Sequence, residues 1–251
     1  MIKIAINGIN GKMGKVLSES VIASSDVKLV CGFDIYDDDK NLCKIYKSFD
    51  DCTKDIDVII DFSHPSMFTG LISFARERKI PVVIATTGLS DDDMELMKEA
   101  AEEIPVFHSA NMSLGINLLI DLVKKAADVL YGNFDIEIIE KHHNQKIDAP
   151  SGTALMIADE IAKELDESVS YKYDRHSQRK KRDKNEIGIH AVRGGTIVGE
   201  HEVIFAGKDE VLTVSHTAMS KEIFATGSIR AAKFIYGKEP GLYSMKDVMG
   251  D

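Results

Sequence analysis

The densest group of reactive side chains in this sequence runs from Glu140 to Thr153, EKHHNQKIDAPSGT. His142 and His143 can exchange protons near neutral pH, and Lys146 can hold an anion or give up a proton. Pro150 and Ser151 mark a helix start, leaving the N–H groups of Gly152 and Thr153 to bind a carboxylate or a phosphate. That combination suits acid–base chemistry on a small anion. Read on residue chemistry alone, the segment is equally a solvated loop between a strand and a helix. Adjacent histidines fit one metal ion poorly, and Cys31, Cys43 and Cys52 have no C-x-x-C spacing, so no metal site is expected.

A second constellation lies at the other end of the chain. An apolar run leads straight into Gly8-Ile9-Asn10-Gly11-Lys12-Met13-Gly14 and then an amphipathic stretch. This strand–glycine-rich turn–helix order brings backbone N–H groups and a helix dipole up to a pyrophosphate. The spacing is G-x-x-G-x-x-G, one residue longer than the commoner G-x-G-x-x-G, and glycines also serve any tight turn. Asp34 strengthens the reading, because it ends the next apolar run, where a carboxylate accepts from ribose hydroxyls. An acid there repels a 2′-phosphate, so NADH is an expected ligand, while Lys12 is placed to serve the 2′-phosphate of NADPH. Ala85-Thr86-Thr87 and Ser109-Ala110-Asn111-Met112, at two later strand ends, are small and polar enough to line a nicotinamide pocket. Without the glycine-rich turn they read equally as ordinary loops.

The elements that must position these groups follow from hydrophobic periodicity. Short β-branched runs at 2–6, 27–33, 58–60 and 82–85 predict buried parallel strands, and 12–23, 66–78 and 91–103 predict the helices between them. Alternation of this kind implies an α/β fold, a Rossmann-type doubly wound parallel sheet. Past about residue 110 the rhythm changes. A helix is expected over 116–130, a strand over 134–139, a helix from 150 to about 165 and a long polar surface loop over 171–186. Runs at 187–192, 196–205 and 211–215 read as an antiparallel group with turns at Arg193-Gly194-Gly195 and Gly207-Lys208-Asp209, and a last helix spans 222–236. The second half is therefore a second α+β domain carrying a mixed or antiparallel sheet.

The 251 residues allow one large domain or two modest ones. With 31 Lys and Arg against 41 Asp and Glu the net charge is −10, which argues against a protein that coats nucleic acid or an anionic membrane. Acids dilute the basic run Arg179-Lys180-Lys181-Arg182 and no aromatic interleaves it, so it reads as a solvated loop. Three cysteines are too few for a disulfide framework, the N-terminus lacks a signal-peptide layout, and no apolar run approaches the ~18 residues of a membrane span. A cytoplasmic protein is expected. His64, His108, His190, His201 and His216 are scattered and default to structural roles.

EKHHNQKIDAPSGTA closely resembles the signature of the dihydrodipicolinate (4-hydroxy-tetrahydrodipicolinate) reductase family, and the likeness extends through NGINGKMG, IDFSHP, TTGLS, SANMSLGIN, VGEHEVIFAG and GKEPGLYSMKDV. It covers essentially the whole chain. The resemblance implies reduction of a cyclic imine dicarboxylate with NADH or NADPH, on the route through diaminopimelate to lysine. His142 is then the proton donor or acceptor and Lys146 the second proton donor, with His143, Gly152 and Thr153 on the substrate carboxylates. It further implies a homotetramer joined through second-domain sheets, with residues 1–113 plus 222–251 forming the dinucleotide-binding domain. Residues 114–221 form the substrate-binding, catalytic and oligomerisation domain, and the site lies between the two and closes on binding. Lys12 stands where the family often has Arg, Ala85 where it usually has Gly, and Lys221 where Arg is common, which bears on cofactor preference. A rival reading is a nucleotide-sensing module without catalysis, which would not require the histidine–lysine cluster. A semialdehyde dehydrogenase needs a cysteine nucleophile beyond the nucleotide domain, and all three cysteines lie by residue 52.

Overall fold

The structure, a computed structural model, describes residues 1–36, 42–165 and 168–250. Along the chain come β1 (Ile2–Asn7), α1 (Lys12–Ala23), β2 (Val27–Phe33), β3 (Ile45–Tyr46), β4 (Val58–Asp61), a 3-10 turn (Pro65–Met67), α2 (Phe68–Arg78), β5 (Val82–Ile84), α3 (Asp91–Ala101) and β6 (Pro105–His108). Then follow α4 (Leu114–Leu130), β7 (Asp135–His142), α5 (Gly152–Lys163), β8 (Ser170–Lys172), β9 (Glu186–Arg193), β10 (Gly199–Ala206), β11 (Val211–Ala218), α6 (Glu222–Ile235), β12 (Gly241–Tyr243) and α7 (Met245–Met249). They divide into two compact units, Met1–Leu114 with Lys221–Asp251 and Gly115–Ser220.

The first unit is a Rossmann-type sheet of seven parallel strands, ordered β12-β6-β5-β4-β1-β2-β3. Both faces are covered, which is why its strands read as continuous apolar runs. Ala5, Ile59, Val82 and Ile84 face a core closed by Phe68, Leu71 and Ile72 of α2 and Met97 and Ala100 of α3. Ile4, Ile6, Val58, Ile60 and Val83 face the opposite core, closed by Leu17 and Val21 of α1 and Ala225, Ile229 and Ile235 of α6. The order reverses between β1 and β4, the topological switch point where such sheets open a crevice beyond their carboxyl ends. Helix α3 begins on a capping box in which Ser90 and Asp93 satisfy each other's backbone N–H groups.

The second unit is a five-stranded mixed sheet, β11-β10-β7-β9-β8, with α4 and α5 on one face. Ile136, Ile138, Ile187, Ile189, Val203 and Phe205 pack there against Ile120, Val123, Ile157 and Ile161. Here the runs after residue 186 depart from the antiparallel reading. β9 pairs parallel with β7, and β10 pairs antiparallel with β7 on its other side. Arg193-Gly194-Gly195 is thus a crossing over the end of β7, held by Gly194 N–H on the His142 carbonyl and Asn144 N–H on the Gly195 carbonyl.

Three further differences have local causes. The helix expected from residue 66 starts as a 3-10 turn because the His64 side chain accepts from Ser66 N–H and Pro65 opens the turn. The strand expected over 134–139 runs on to His142, because cross-strand pairing continues past the last isoleucine. The loop expected over 171–186 begins as β8; Arg179, Lys180 and Lys181 of its basic run are exposed as expected, while Arg182, and Arg175 before the run, are tied to the sheet. Arg175 binds Glu186 at 2.8 Å and Arg182 binds Glu137 at 3.2 Å and the Ile136 carbonyl at 2.7 Å. Glu137 lies across Gly188, where any Cβ would collide with its carboxylate. No helix among the described residues is long and apolar enough to cross a membrane.

Candidate functional site

At the switch point of the first unit, a cavity of about 540 Å³ is lined by Asn7, Gly8, Asn10, Gly11, Asp34, Tyr36, Phe62, Ser63 and His64, among others. Gly8 has φ +76° and its backbone abuts Phe62 and Ser63, so a side chain there would strike the β4 segment. Gly14 lets α1 start directly on the turn: an added Cβ would lie 2.2 Å from the Gly8 carbonyl oxygen. No side chain caps α1, so its first N–H groups remain available to an anion. Asp34 is held by both carboxylate oxygens, which accept from Asn10 N–H at 3.0 Å and Tyr36 N–H at 3.1 Å. A crevice of this size with a glycine turn, an uncapped helix start and an oriented acid fits a dinucleotide.

Of the remaining nucleotide-site expectations, Lys12 is exposed and Met13 half-buried at the start of α1, and neither lines the cavity. The Ile9 side chain instead packs on Gly32, and the Met112 side chain joins the same apolar core. Ala85 and Thr86 are buried beyond β5 while Thr87 is exposed. Thr86 donates to the wholly buried Asp61 at 2.7 Å, and Asp61 also accepts from Asn7 Nδ2 at 2.8 Å and Ser63 N–H at 3.2 Å. Burial pushes the Asp61 carboxyl up, and these donors offset part of that. Beyond β6, Ser109 Oγ donates to the Asn111 carbonyl at 2.8 Å and Asn111 Oδ1 accepts from Ser113 N–H at 2.9 Å, with Ala110 exposed between them.

In the second unit His142 ends β7 on the buried face of the sheet, one tooth of the alternation Ile136, Ile138, Glu140, His142. Its Nδ1 lies 2.6 Å from Glu140 Oε2, and its Nε2 lies over Gly199, which has no Cβ to crowd it. Glu140 is fully buried. It accepts both terminal nitrogens of Arg193 at 2.7 Å and the Ser151 N–H at 3.0 Å. Burial alone raises the Glu140 carboxyl, but Arg193, His142 and Ser151 together hold it below the ordinary glutamate range. Burial lowers the His142 imidazole, Glu140 pulls it back up, and Lys146 and Arg193 lower it further, leaving it below the usual histidine value. Across the sheet His201 stands edge-on to His142 with ring centroids 5.2 Å apart. Burial takes the His201 ring down to about 4, and its Nε2 meets Ser151 Oγ at 3.1 Å.

Ser151 also caps α5, its Oγ accepting from Ala154 N–H at 3.1 Å. Gly152 is exposed, and Thr153 and His143 are half-buried. The half-buried Lys146 pairs with Asp148 at 2.9 Å. That bond, with a lesser contribution from the Gly152 N–H, keeps the Asp148 carboxyl below its ordinary range. No group of three or more His, Cys, Asp or Glu among the described residues could hold a metal ion.

Residues 2–112 match the family model described as dihydrodipicolinate reductase, N-terminus, and residues 115–249 that described as dihydrodipicolinate reductase, C-terminus. The chain belongs to the dihydrodipicolinate reductase family. The 4-hydroxy-tetrahydrodipicolinate reductase of Caldanaerobacter subterraneus subsp. tengcongensis is 54% identical over 99% of this chain and 98% of its own. That of Clostridium novyi is 47% identical over 99% and 98%. A dipicolinate-bound dihydrodipicolinate reductase from Paenisporosarcina sp. TG-14 superposes with a TM-score of 0.82 at 25% identity, covering 97% of each chain. A myo-inositol dehydrogenase from Corynebacterium glutamicum shares the fold, with a TM-score of 0.59 at 18% identity over 99% of this chain and 92% of its own.

Within this reductase family member, sequence reading nominated His142, His143, Lys146, Gly152 and Thr153, with Ser151 as the helix start; it gave Glu140 no role and missed Arg193 and His201 as parts of the cluster. Glu140 opened the reactive segment, and the only available signal was its two-residue spacing from His142, which puts both on one face of a strand. His64, set aside as structural, lines the nucleotide cavity.

Proposed function

We infer that this chain catalyses the reduction of 4-hydroxy-tetrahydrodipicolinate by NADH or NADPH, with one proton taken up, to tetrahydrodipicolinate, the oxidised cofactor and water. The reaction belongs to lysine synthesis through diaminopimelate. The observation that carries this reading is the convergence on His142 and the start of α5 of proton-transfer and anion-binding groups, in a chain matched end to end by reductases of that name. A bound nicotinamide cofactor supplies the hydride. Gly8, Asn10, Gly11 and Asp34 hold it at the crevice, with Ile9, Lys12 and Met13 in the same turn, and the segments Ala85-Thr86-Thr87 and Ser109-Ala110-Asn111-Met112 flank the nicotinamide. His142 gives the proton taken up with the hydride, and Lys146, the second proton donor, protonates the departing hydroxyl, a proton that the ring carbon gives back as water is lost. His143, Gly152 and Thr153 bind the substrate carboxylates; the dipicolinate bound by the Paenisporosarcina relative supports a small dicarboxylate.

The protein works in the cytoplasm as a homotetramer, joined through the face of the second-unit sheet turned away from α4 and α5, where Ile139, Ile204 and Val211 lie among polar neighbours. Neither nucleic acid nor membrane is a partner. The test is to supply the upstream condensation product and follow the absorbance of NADH and, separately, NADPH. Substrate-dependent oxidation is expected, with kcat falling roughly 10²–10⁴-fold in His142→Ala and Lys146→Ala. A protein that binds NADH but never oxidises it in that mixture is a sensor, and the reductase reading fails.

A further inference from the structure

The pairing of the fully buried Glu140 with the half-buried Arg193 has no counterpart in the roles given above. An ion pair taken out of water is seldom worth its desolvation as a stabilising device, and an apolar pair would fill the same space. Its geometry is directed: one carboxylate oxygen faces His142 Nδ1 at 2.6 Å, and both oxygens are fixed by the forked guanidinium at 2.7 Å. The fork is anchored in turn, since Arg193 donates to the Val192 carbonyl at 2.8 Å and the Asp148 carbonyl at 2.6 Å. Strand register puts Arg193 directly opposite His142, so the guanidinium reaches back one tooth to Glu140.

We propose that Glu140, clamped by Arg193, is a positioning residue that fixes the tautomer of His142 and makes Nε2 its working nitrogen. This rests on the reading that His142 is the proton donor. An ionised carboxylate only accepts hydrogen bonds, so the ring must carry its hydrogen on Nδ1 when neutral. Nε2, above Gly199, is then the atom that binds a solvent proton and releases it to substrate in each turnover, while Glu140 stays ionised throughout. The same carboxylate stabilises the imidazolium that must exist before transfer. The charged and titratable groups facing the ring are Glu140 on its own strand, Arg193 on β9, His201 on β10 and Lys146 on the following loop, with His216 of β11 behind His201.

The test combines two measurements. In wild-type protein labelled with 15N-histidine, the neutral His142 signal should be that of the Nδ1–H tautomer; an Nε2–H tautomer overturns the proposal. In Glu140→Gln, which keeps the shape, the alkaline limb of the kcat profile should move to lower pH, because the imidazolium loses its counter-charge. Its kcat should fall about 10–100-fold, with the Kd for NADH unchanged within about twofold. Glu140→Asp should recover the limb in part. A merely structural carboxylate would alter expression or NADH affinity and leave the limb in place, and that outcome overturns the proposal. Should Glu140→Gln fail to fold, the wild-type tautomer still decides. Wild-type protein that never oxidises NADH with the substrate present refutes the reductase reading instead, and leaves the tautomer result standing.

Discussion

At the scale of single residues, buried acids distinguish the two units. Glu140 is compensated by a cation, whereas Asp61 has only neutral donors: Asn7, Ser63 and Thr86. Its carboxyl is therefore raised in the folded state, mainly by burial. The folded protein then binds a proton more readily than the unfolded chain, so its contribution to stability is present at low pH and lost as pH rises from the ordinary carboxylate range through the raised value. Asp61→Asn keeps the shape and, with the Thr86 hydroxyl turned to the Ser63 carbonyl at 3.3 Å, keeps a partner for each group. Urea midpoints between pH 4 and 8 should fall with pH more steeply for wild type than for Asp61→Asn; parallel curves would contradict the argument. Asp61→Ala, which leaves the Ser63 N–H without its acceptor and leaves Asn7 and Thr86 only their bonds to Ser63, should cost about 1–3 kcal/mol. His142 and Lys146 were legible as residues because an imidazole and an ammonium carry proton-transfer chemistry in the side chain itself. Glu140 was not, because what sets it apart is Arg193, 53 positions later, and pairing at that distance leaves no local mark.

At the scale of elements, legibility followed local physics. The β1–turn–α1 unit was read with the helix at its observed bounds, because apolar alternation, three glycines and an amphipathic run all act within a few residues of one another. The end of β7 was not, because its last residues are polar and are kept in the strand by β9 and β10. The parallel placement of β9 and the three-residue β12 are likewise set by partners distant in sequence. The glycine turn makes a sharp prediction. In Gly14→Ala the new methyl would meet the Gly8 and Ile9 carbonyls at 2.2 and 2.6 Å. Displacing α1 to relieve this should cost about 1–3 kcal/mol and spoil the N–H cradle. NADH titration should show at least tenfold weaker binding, with the second unit's near-ultraviolet signal unchanged; wild-type affinity would mean the cradle is not the binding element.

At the scale of the whole molecule the net charge is −10, and near the start of α5 the cations Lys146 and Arg193 are each paired with a carboxylate, Asp148 and Glu140. The open sheet face of the second unit is where assembly should occur. Ile204 sits there between Thr213 and Glu137 on the neighbouring strands. In the proposed tetramer Ile204→Lys places a charge among three strands and should shift sedimentation from four 27.7 kDa chains toward smaller species. An unchanged tetramer at tenfold dilution would move the interface elsewhere.

The second unit is inserted in the first, since Lys221–Asp251 returns to the sheet that Met1–Leu114 begins. Of the two helices closing one face of that sheet, α1 is made at the start and α6 only after residue 221. During synthesis, Ile60 and Val83 therefore wait uncovered while a complete second unit emerges from the ribosome. The sheet that carries the glycine turn thus depends for one of its covering layers on a helix that follows the whole second unit in sequence.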